Sequence, residues 1–184
     1  MMHEEDLLIL YSGGADSRLL LELALRVKKN PYCVLIQYEQ KHIAEITFGI
    51  RQLQDLEVPF QVLTLSGLKI DSGLTGSGEK GQFEGVSEMY VAGRNTIFLS
   101  LAFSIAESRG LDTIWYGADY SDRVNLFPDS IQEYVIKVNE LFEISGSKPI
   151  RVEAPLLGFT KELVFQMLES FGVSKEAVFS GYGE

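Results

Sequence analysis

Short apolar runs alternate along this chain with longer segments in which apolar residues recur at helical spacing. The run over residues 7–11 is too short for a helix and is typical of a strand buried on both faces of a parallel sheet. Apolar positions over 19–27 then share one helical face, and Pro31 ends that pattern. A second apolar run over 33–38 predicts the next strand.

The same alternation continues towards the end of the chain. It predicts further helices over 43–53, 95–108, 129–142 and 160–171, and further strands over 61–65, 113–117 and 151–154. Strands that alternate with helices favour an α/β fold in which helices cover both faces of a parallel sheet. No internal repeat and no second domain are visible, so we expect one domain over residues 1–184.

The turn between the first strand and the first helix is unusual. It reads SGGADS, residues 12–17, and lies where ligands bind in doubly wound α/β folds. Its glycines leave room for a ligand against the main chain, and its amides together with the start of the helix favour an anion. Asp16 can cap the helix or hold magnesium among phosphates. A plain glycine turn with an Asp or Ser cap is the alternative.

Two other phosphate-binding motifs do not fit this chain. The Walker loop requires Gly-Lys followed by Ser or Thr, which does not occur in the sequence. A literal G-x-G-x-x-G occurs at 76–81, but no apolar strand leads into it and no helical pattern leaves it. We therefore reject a dinucleotide site. The match falls within 66–93, a glycine-rich stretch with little periodicity, and loops of that length are usually functional or mobile.

Composition and charge limit the kinds of molecule that this protein is expected to bind. The 184 residues carry a net charge of −10, which argues against non-specific binding to nucleic acid and favours a small-molecule substrate. The acidic start lacks the pattern of a secretory signal, and no apolar stretch is long enough to cross a bilayer. The single cysteine, Cys33, excludes an internal disulfide and a multi-thiolate metal site. We expect a cytoplasmic protein without direct contacts to nucleic acid or membrane.

The turn at 12–17 resembles the SGGxDS loop of the N-type ATP pyrophosphatases, the PP-loop superfamily. Enzymes of that superfamily cut ATP between its α and β phosphates and attach AMP to a substrate oxygen. The resemblance implies a Rossmann-like fold of the adenine nucleotide alpha hydrolase type. It also implies that ATP contacts Tyr11, Ser12, Gly13, Gly14, Ala15, Asp16, Ser17, Gln37, Tyr38 and Gly117.

Further segments resemble the 7-cyano-7-deazaguanine synthase (QueC) family, in order along nearly the whole chain. They are Tyr38-Glu-Gln-Lys-His42 with Glu45, Val91-Ala-Gly-Arg-Asn-Thr-Ile-Phe-Leu-Ser100, Gly117-Ala-Asp119, Phe127-Pro-Asp129 with Tyr134, Ala154-Pro-Leu156, Thr160-Lys161 and Phe179-Ser-Gly-Tyr182.

This second resemblance implies an ATP-dependent carbon–nitrogen ligase. The carboxylate of 7-carboxy-7-deazaguanine is adenylated, ammonia forms the amide, and a second ATP drives loss of the amide oxygen to leave the nitrile. ATP and magnesium are the expected cofactors, with Asp16 as a magnesium ligand, and a homodimer is expected. The implied catalytic residues are Ser12, Asp16, Ser17, Arg94 and Lys161. The implied substrate-binding residues are Gln40, His42, Glu45, Arg94, Asn95, Asp119, Asp129 and Tyr134.

The chain also departs from the family pattern. The family holds zinc with cysteines that begin in its S-C-Y segment, where this chain has Gly181, so we expect no zinc. Ser130 and Ala92 replace a family cysteine and proline. A second hypothesis therefore stays open, in which the enzyme stops at the amide or joins the activated base to another amine. A nucleotide sensor without chemistry also stays open.

A tRNA-modifying role fits less well, because such enzymes need basic surface or an added RNA-binding domain. Thiolation would also require a reactive cysteine, and Cys33 lies within a predicted strand.

Several candidate residues have simpler alternative roles. His42 and Glu45 can form a solvated pair, Asn95 and Asp129 can cap helices, and Lys161 can be a surface charge after a Thr160 cap. For 66–93 we predict a lid that closes over the bound base and shields the adenylate from water.

Overall fold

The computed structural model describes residues 6–38, 43–66, 91–120 and 127–178, and strands alternate with helices throughout these ranges. The elements are β1 (Leu7–Leu10), α1 (Ala15–Arg26), β2 (Pro31–Gln37), α2 (Ile43–Asp55), β3 (Phe60–Thr64), α3 (Arg94–Arg109), β4 (Thr113–Trp115), α4 (Gln132–Ser145), β5 (Arg151–Glu153), α5 (Lys161–Ser170) and a 3₁₀ helix (Lys175–Ala177).

The strands form one sheet in the order β3-β2-β1-β4-β5, and every neighbouring pair is parallel. From the central β1, the chain first builds outwards through β2 and β3, and later returns to the other side of β1 to add β4 and β5. The order therefore reverses between β1 and β4. In open parallel sheets, ligands bind beyond the carboxyl ends of the strands at such a reversal.

Alternate residues of β1 face the two sides of the sheet. Leu7 and Ile9 are fully buried in a cluster with residues of α1, α2 and α5. Leu8, also fully buried, packs on the opposite face with residues of α3 and α4. The prediction of a strand buried on both faces is confirmed, and so is the parallel α/β sandwich.

One helix start differs from the prediction. Helix α4 begins at Gln132 with Ile131 as its N-cap, not at position 129. The amide of Ser130 donates to the carbonyl of Phe127 at 3.1 Å, so residues 127–130 form a turn that delays the helix. Asp129 is therefore not the N-cap of α4. The Thr160 cap is confirmed, because its hydroxyl accepts a hydrogen bond from the amide of Leu163 at 3.3 Å.

Some predictions fall outside the described residues. These include Gln40, His42, residues 67–90 of the predicted lid, and Phe179-Ser-Gly-Tyr182. Within the four described ranges, no helix has both the length and the apolar content needed to cross a membrane.

Candidate active site

The turn after β1 packs directly against the backbone of α2. Gly13 has φ of +95°, and a Cβ at this position would lie 2.9 Å from the Cα of Gly49 and 3.0 Å from the carbonyl oxygen of Glu45. Only glycine fits both the backbone angle and the space. Gly49 was missed by sequence reasoning, because a single glycine within a helical pattern does not by itself show which segment packs against it.

The hydroxyls of the turn satisfy its own amides. The amides of Ser12 and Gly13 both donate to the Ser17 Oγ at 3.2 Å, and this hydroxyl donates to the carbonyl of Gly14 at 3.0 Å. The Gly14 amide donates to the Ser12 Oγ at 3.2 Å. The amides predicted to receive an anion thus already converge on hydroxyl oxygen atoms of the turn itself.

A lysine lies between two carboxylates beside this turn. Lys161, the first residue of α5, forms ion pairs with Asp16 in the first turn of α1 and with Asp119 after β4, and its Nζ lies 2.9 Å from the Asp119 Oδ2. The N-cap of α1 is Gly14, so Asp16 is not the capping residue. A Cβ at Gly117 would lie 3.1 Å from the Cβ of Asp16, so the glycine lets the two elements approach. Lys161 is therefore not an ordinary surface charge.

The electrostatics of these three groups favour the charged form of Lys161. Burial raises the pKa of Asp16 and outweighs the lowering effect of Lys161, while Asp119 adds to the rise. Burial lowers the pKa of Lys161, but Asp16 and Asp119 together raise it above its ordinary value. The ammonium of Lys161 therefore stays charged between the two carboxyl groups.

This cluster could hold magnesium if substrate phosphates supplied further ligands, but among the described residues it does not form a site made of protein ligands alone. Within the described part of the chain, no three His, Cys, Asp or Glu side chains group as metal ligands. The Oδ1 of Asp16 is buried and makes no hydrogen bond to the described residues. Magnesium is commonly bound through one or two carboxylates together with substrate phosphates, which this oxygen beside the turn can support.

A second polar group surrounds the start of α3. Arg94 Nη1 donates to the hydroxyl of Tyr38 at 3.1 Å, and the Tyr38 ring meets Phe98 edge-on with centroids 5.4 Å apart. The hydroxyls of Thr96 and Tyr134 lie 2.8 Å apart and connect α3 to α4. These contacts bring a guanidinium and two phenols to one side of the sheet.

Asp129 supports this second group from a buried position. Burial raises its pKa, against the lowering effects of Arg94 and of hydrogen bonds from Asn95. The Tyr116 hydroxyl donates to the carbonyl of Asp129 at 3.0 Å. The N-cap of α3 is Gly93, so Asn95 is not the helix cap. Asp129 and Asn95 instead bind each other, and together they hold the first turn of α3.

The predicted site residues thus form two groups, which we name by their proposed ligands. The phosphate end comprises Ser12, Gly13, Gly14, Asp16, Ser17, Gly117, Asp119 and Lys161, and the base end comprises Tyr38, Arg94, Asn95, Asp129 and Tyr134.

Two predicted residues lie elsewhere than expected, and the predicted ATP contact of a third, Gln37, stays a prediction. The Tyr11 side chain points into the core, where its hydroxyl donates to the Oε1 of Gln52 at 2.6 Å, and burial raises its pKa. Glu45, predicted to bind the base, lies beside the phosphate end, with its Oε1 3.6 Å from a Cβ placed at Gly14. Gln37 ends β2, and its carbonyl accepts from Leu65 at 2.8 Å.

Comparisons with known proteins give the family context. The model of the family described as "Queuosine biosynthesis protein QueC" matches residues 6–184. A 7-cyano-7-deazaguanine synthase from Alteromonas mediterranea is 29% identical over 87% of this chain and 76% of its own length. One from Polynucleobacter asymbioticus is 30% identical over 95% of this chain and 77% of its own length.

A solved structure shares the fold. The NH3-dependent NAD synthetase from Campylobacter jejuni aligns with a TM-score of 0.61 at 13% identity, over 99% of this chain and 70% of that one. Together with the strand order, this likeness identifies the PP-loop ATP pyrophosphatase fold.

Proposed function

The chain belongs to the QueC family of queuosine biosynthesis proteins, and from that premise we propose that it converts 7-carboxy-7-deazaguanine into 7-cyano-7-deazaguanine with ATP and ammonia. The match of residues 6–184 to the family carries this proposal. The relatives named 7-cyano-7-deazaguanine synthase favour the nitrile over the alternative product, the amide or a conjugate with another amine.

The proposed reaction activates the same carbon twice. A carboxylate oxygen attacks the α-phosphorus of ATP, pyrophosphate leaves, and ammonia then displaces AMP from the acyl carbon to form the amide. The amide oxygen attacks a second ATP, and loss of AMP and the nitrogen-bound protons leaves the nitrile. One acid and one ammonia thus consume two ATP and release two AMP and two pyrophosphates.

The phosphate end is suited to stabilise the departing pyrophosphate. Its amides converge on the Ser17 Oγ, whose place a phosphate oxygen would take, and its Lys161 ammonium stays charged, so both can meet negative charge that develops on the leaving group. When bound, magnesium supplies further charge neutralisation between the phosphates, and we assign Asp16 Oδ1 as its protein ligand. Ala15 and the main chain of Tyr11 complete the loop, and Gln37, Tyr38 and Gly117 are proposed to face the adenosine.

The base end is suited to hold the acid. Arg94 presents a guanidinium, which can bind a carboxylate through two parallel hydrogen bonds. The hydrogen bond to Tyr38 orients the Arg94 side chain, and the Asp129–Asn95 pair holds the first turn of α3, from which that side chain extends. Tyr134 is proposed to contact the deazaguanine ring, and the roles of Gln40, His42 and Glu45 stay predictions.

Other properties of the chain fit this function. Cys33 is fully buried and its pKa is raised by burial, so a thiolation mechanism lacks a reactive thiol here. A homodimer, a cytoplasmic location, contacts with small molecules rather than nucleic acid, and a single domain stay predictions. The expectation that zinc is not required also stays a prediction, since it rests on residues 179–184.

Product analysis tests the proposal. The protein is incubated with ATP, magnesium, ammonium and 7-carboxy-7-deazaguanine, and the products are identified by mass spectrometry. We expect the nitrile and two AMP for each nitrile formed. Amide as the final product would support the alternative, and unchanged acid without AMP would contradict both. An Asp16→Asn variant serves as the control for contaminating ATPases, and its AMP formation should fall by about a hundredfold.

A further inference from the structure

The two carboxylates that hold Lys161 differ in their access to solvent. The side chain of Asp119 is 0% exposed, that of Asp16 is 23% exposed, and that of Lys161 itself is 40% exposed. One partner of the ammonium is therefore fully buried, and the other is partly exposed beside the loop of the phosphate end. This asymmetry decides which ion pair can be exchanged.

Main-chain contacts tie Asp119 to the start of α5. The amide of the next residue, Tyr120, donates to the carbonyl of Phe159 at 2.9 Å, just before the Thr160 cap and Lys161. Asp16 belongs to a different element, α1, and meets Lys161 only through its side chain among the contacts described above. Asp119 and Lys161 are thus held together through the main chain as well as by their ion pair, whereas Asp16 contacts Lys161 through its side chain.

A polyphosphate adds negative charge to a cluster that already has two carboxylates and one ammonium. Breaking the pair between Lys161 and Asp119 would leave a buried carboxylate without its counter-ion, which is strongly unfavourable. Breaking the pair between Lys161 and Asp16 costs less, because Asp16 can be hydrated or can take a metal ion. The incoming phosphate should therefore replace Asp16.

We propose that Asp119 is a positioning residue that anchors Lys161 at the pyrophosphate loop while Lys161 exchanges Asp16 for a phosphate oxygen. The inference rests on the proposed function, because that function makes a polyphosphate the ligand of this end. It replaces the predicted contact of Asp119 with the deazaguanine ring, which its complete burial does not favour. Asp119 acts through Lys161 and does not itself touch the substrate.

A double-mutant cycle tests this anchoring. Affinity for inorganic pyrophosphate is measured by calorimetry, in chelator and again with magnesium, for the unmodified protein, Asp119→Asn, Lys161→Met and the double variant. With Lys161 present, Asp119→Asn should raise the Kd about tenfold, because the ammonium must then leave Asp16, its remaining carboxylate partner among the described residues, to bind phosphate. With Met at position 161, the same change only removes negative charge, so the Kd should stay equal or fall.

The sign of the Asp119→Asn effect separates three explanations. Opposite effects, or an effect that vanishes without Lys161, support the anchor. A lower Kd in both backgrounds would mean that Asp119 only repels phosphate, and an equal rise in both would mean a packing role. Either of these overturns the inference while leaving the proposed function intact. An unmodified protein that binds no pyrophosphate contradicts the proposed function as well.

A second measurement covers the case in which Lys161→Met does not fold. For Asp119→Asn alone, the KM for ATP should rise about tenfold while the KM for the carboxylic acid stays within about twofold. A tenfold rise in the KM for the carboxylic acid with an unchanged KM for ATP would instead indicate that Asp119 contacts the deazaguanine ring, and would overturn the inference. The matched control is Glu153→Gln in β5, which removes a carboxylate bonded to the indole Nε1 of Trp115 at 2.8 Å and should change neither KM.

Discussion

The phosphate end and the base end are built in different ways. The loop of the phosphate end is one continuous run, 12–17, whose shape follows from a glycine with φ of +95° packed against Gly49. The base end is assembled from side chains of separate segments, and its contacts run through Tyr38, Arg94 and Asp129. Changes to the run 12–17 should therefore damage both the fold and the reaction, whereas changes to the base end should mainly affect the carboxylic acid.

The largest effect is expected from Gly13→Ala. The new Cβ would meet the backbone of Gly49 at 2.9 Å, and φ of +95° is unfavourable for alanine, so α2 and the turn must separate. We expect a loss of several kcal/mol in the free energy of unfolding, by analogy with overpacked cores and strained backbones, and loss of AMP formation. Chemical denaturation and a pyrophosphate-release assay measure the two effects.

The control for this change is Gly158→Ala. A Cβ placed at Gly158 would have no heavy atom within 4 Å, and the φ of this residue is not positive, so activity and stability should stay near those of the unmodified protein. If Gly13→Ala behaves like Gly158→Ala, the close approach of α2 to the turn is not needed for the site.

An intermediate effect, confined to one substrate, is expected from Arg94→Gln. Loss of the guanidinium should raise the KM for the carboxylic acid by about tenfold or more, roughly the value of one charge-assisted hydrogen bond, with little change in the KM for ATP. Steady-state kinetics with each substrate varied in turn measures this.

The matched control is Arg109→Gln, which removes an arginine from the opposite end of the same helix, where it stacks 3.6 Å from the Tyr32 ring centroid. Equal rises in both Michaelis constants for Arg94→Gln would contradict the division into two ends.

The smallest effect is expected from Tyr11→Phe. Tyr11 precedes the loop but directs its hydroxyl into the core, where it donates to Gln52 at 2.6 Å. Removing that hydroxyl should cost about 1 kcal/mol of unfolding free energy and leave the KM for ATP unchanged. Thermal or chemical denaturation together with kinetics measures both quantities. A large rise in the KM for ATP would show that the side chain reaches the nucleotide.

Local patterns in the sequence predicted most of the fold and the loop at the phosphate end. The apolar run at 7–11, the glycine turn at 12–17 and the helical spacing that follows are each set by residues close together in the sequence. A local pattern is therefore enough to predict them. The predicted start of α4 was wrong because Pro128-Asp129 is typical both of a helix start and of the turn that forms here.

Contacts between distant segments could not be predicted in the same way. Lys161 meets Asp119 because β4 and the start of α5 are brought together by the sheet order, which no local pattern contains. The approach of Gly49 to Gly13 and the support of α3 by Asp129 arise likewise from packing between elements. Resemblance to a family named some of these residues, but not the partners that they have in the fold.

The central claim is that the carboxylate oxygens of the substrate pass to AMP at this site. The most direct measurement uses 7-carboxy-7-deazaguanine with both carboxylate oxygens labelled with oxygen-18, and mass spectrometry of the AMP and the base. We expect one labelled oxygen in each of the two AMP molecules and a nitrile that retains none. AMP without label would show that ATP is attacked by water rather than by the substrate, and would contradict this mechanism.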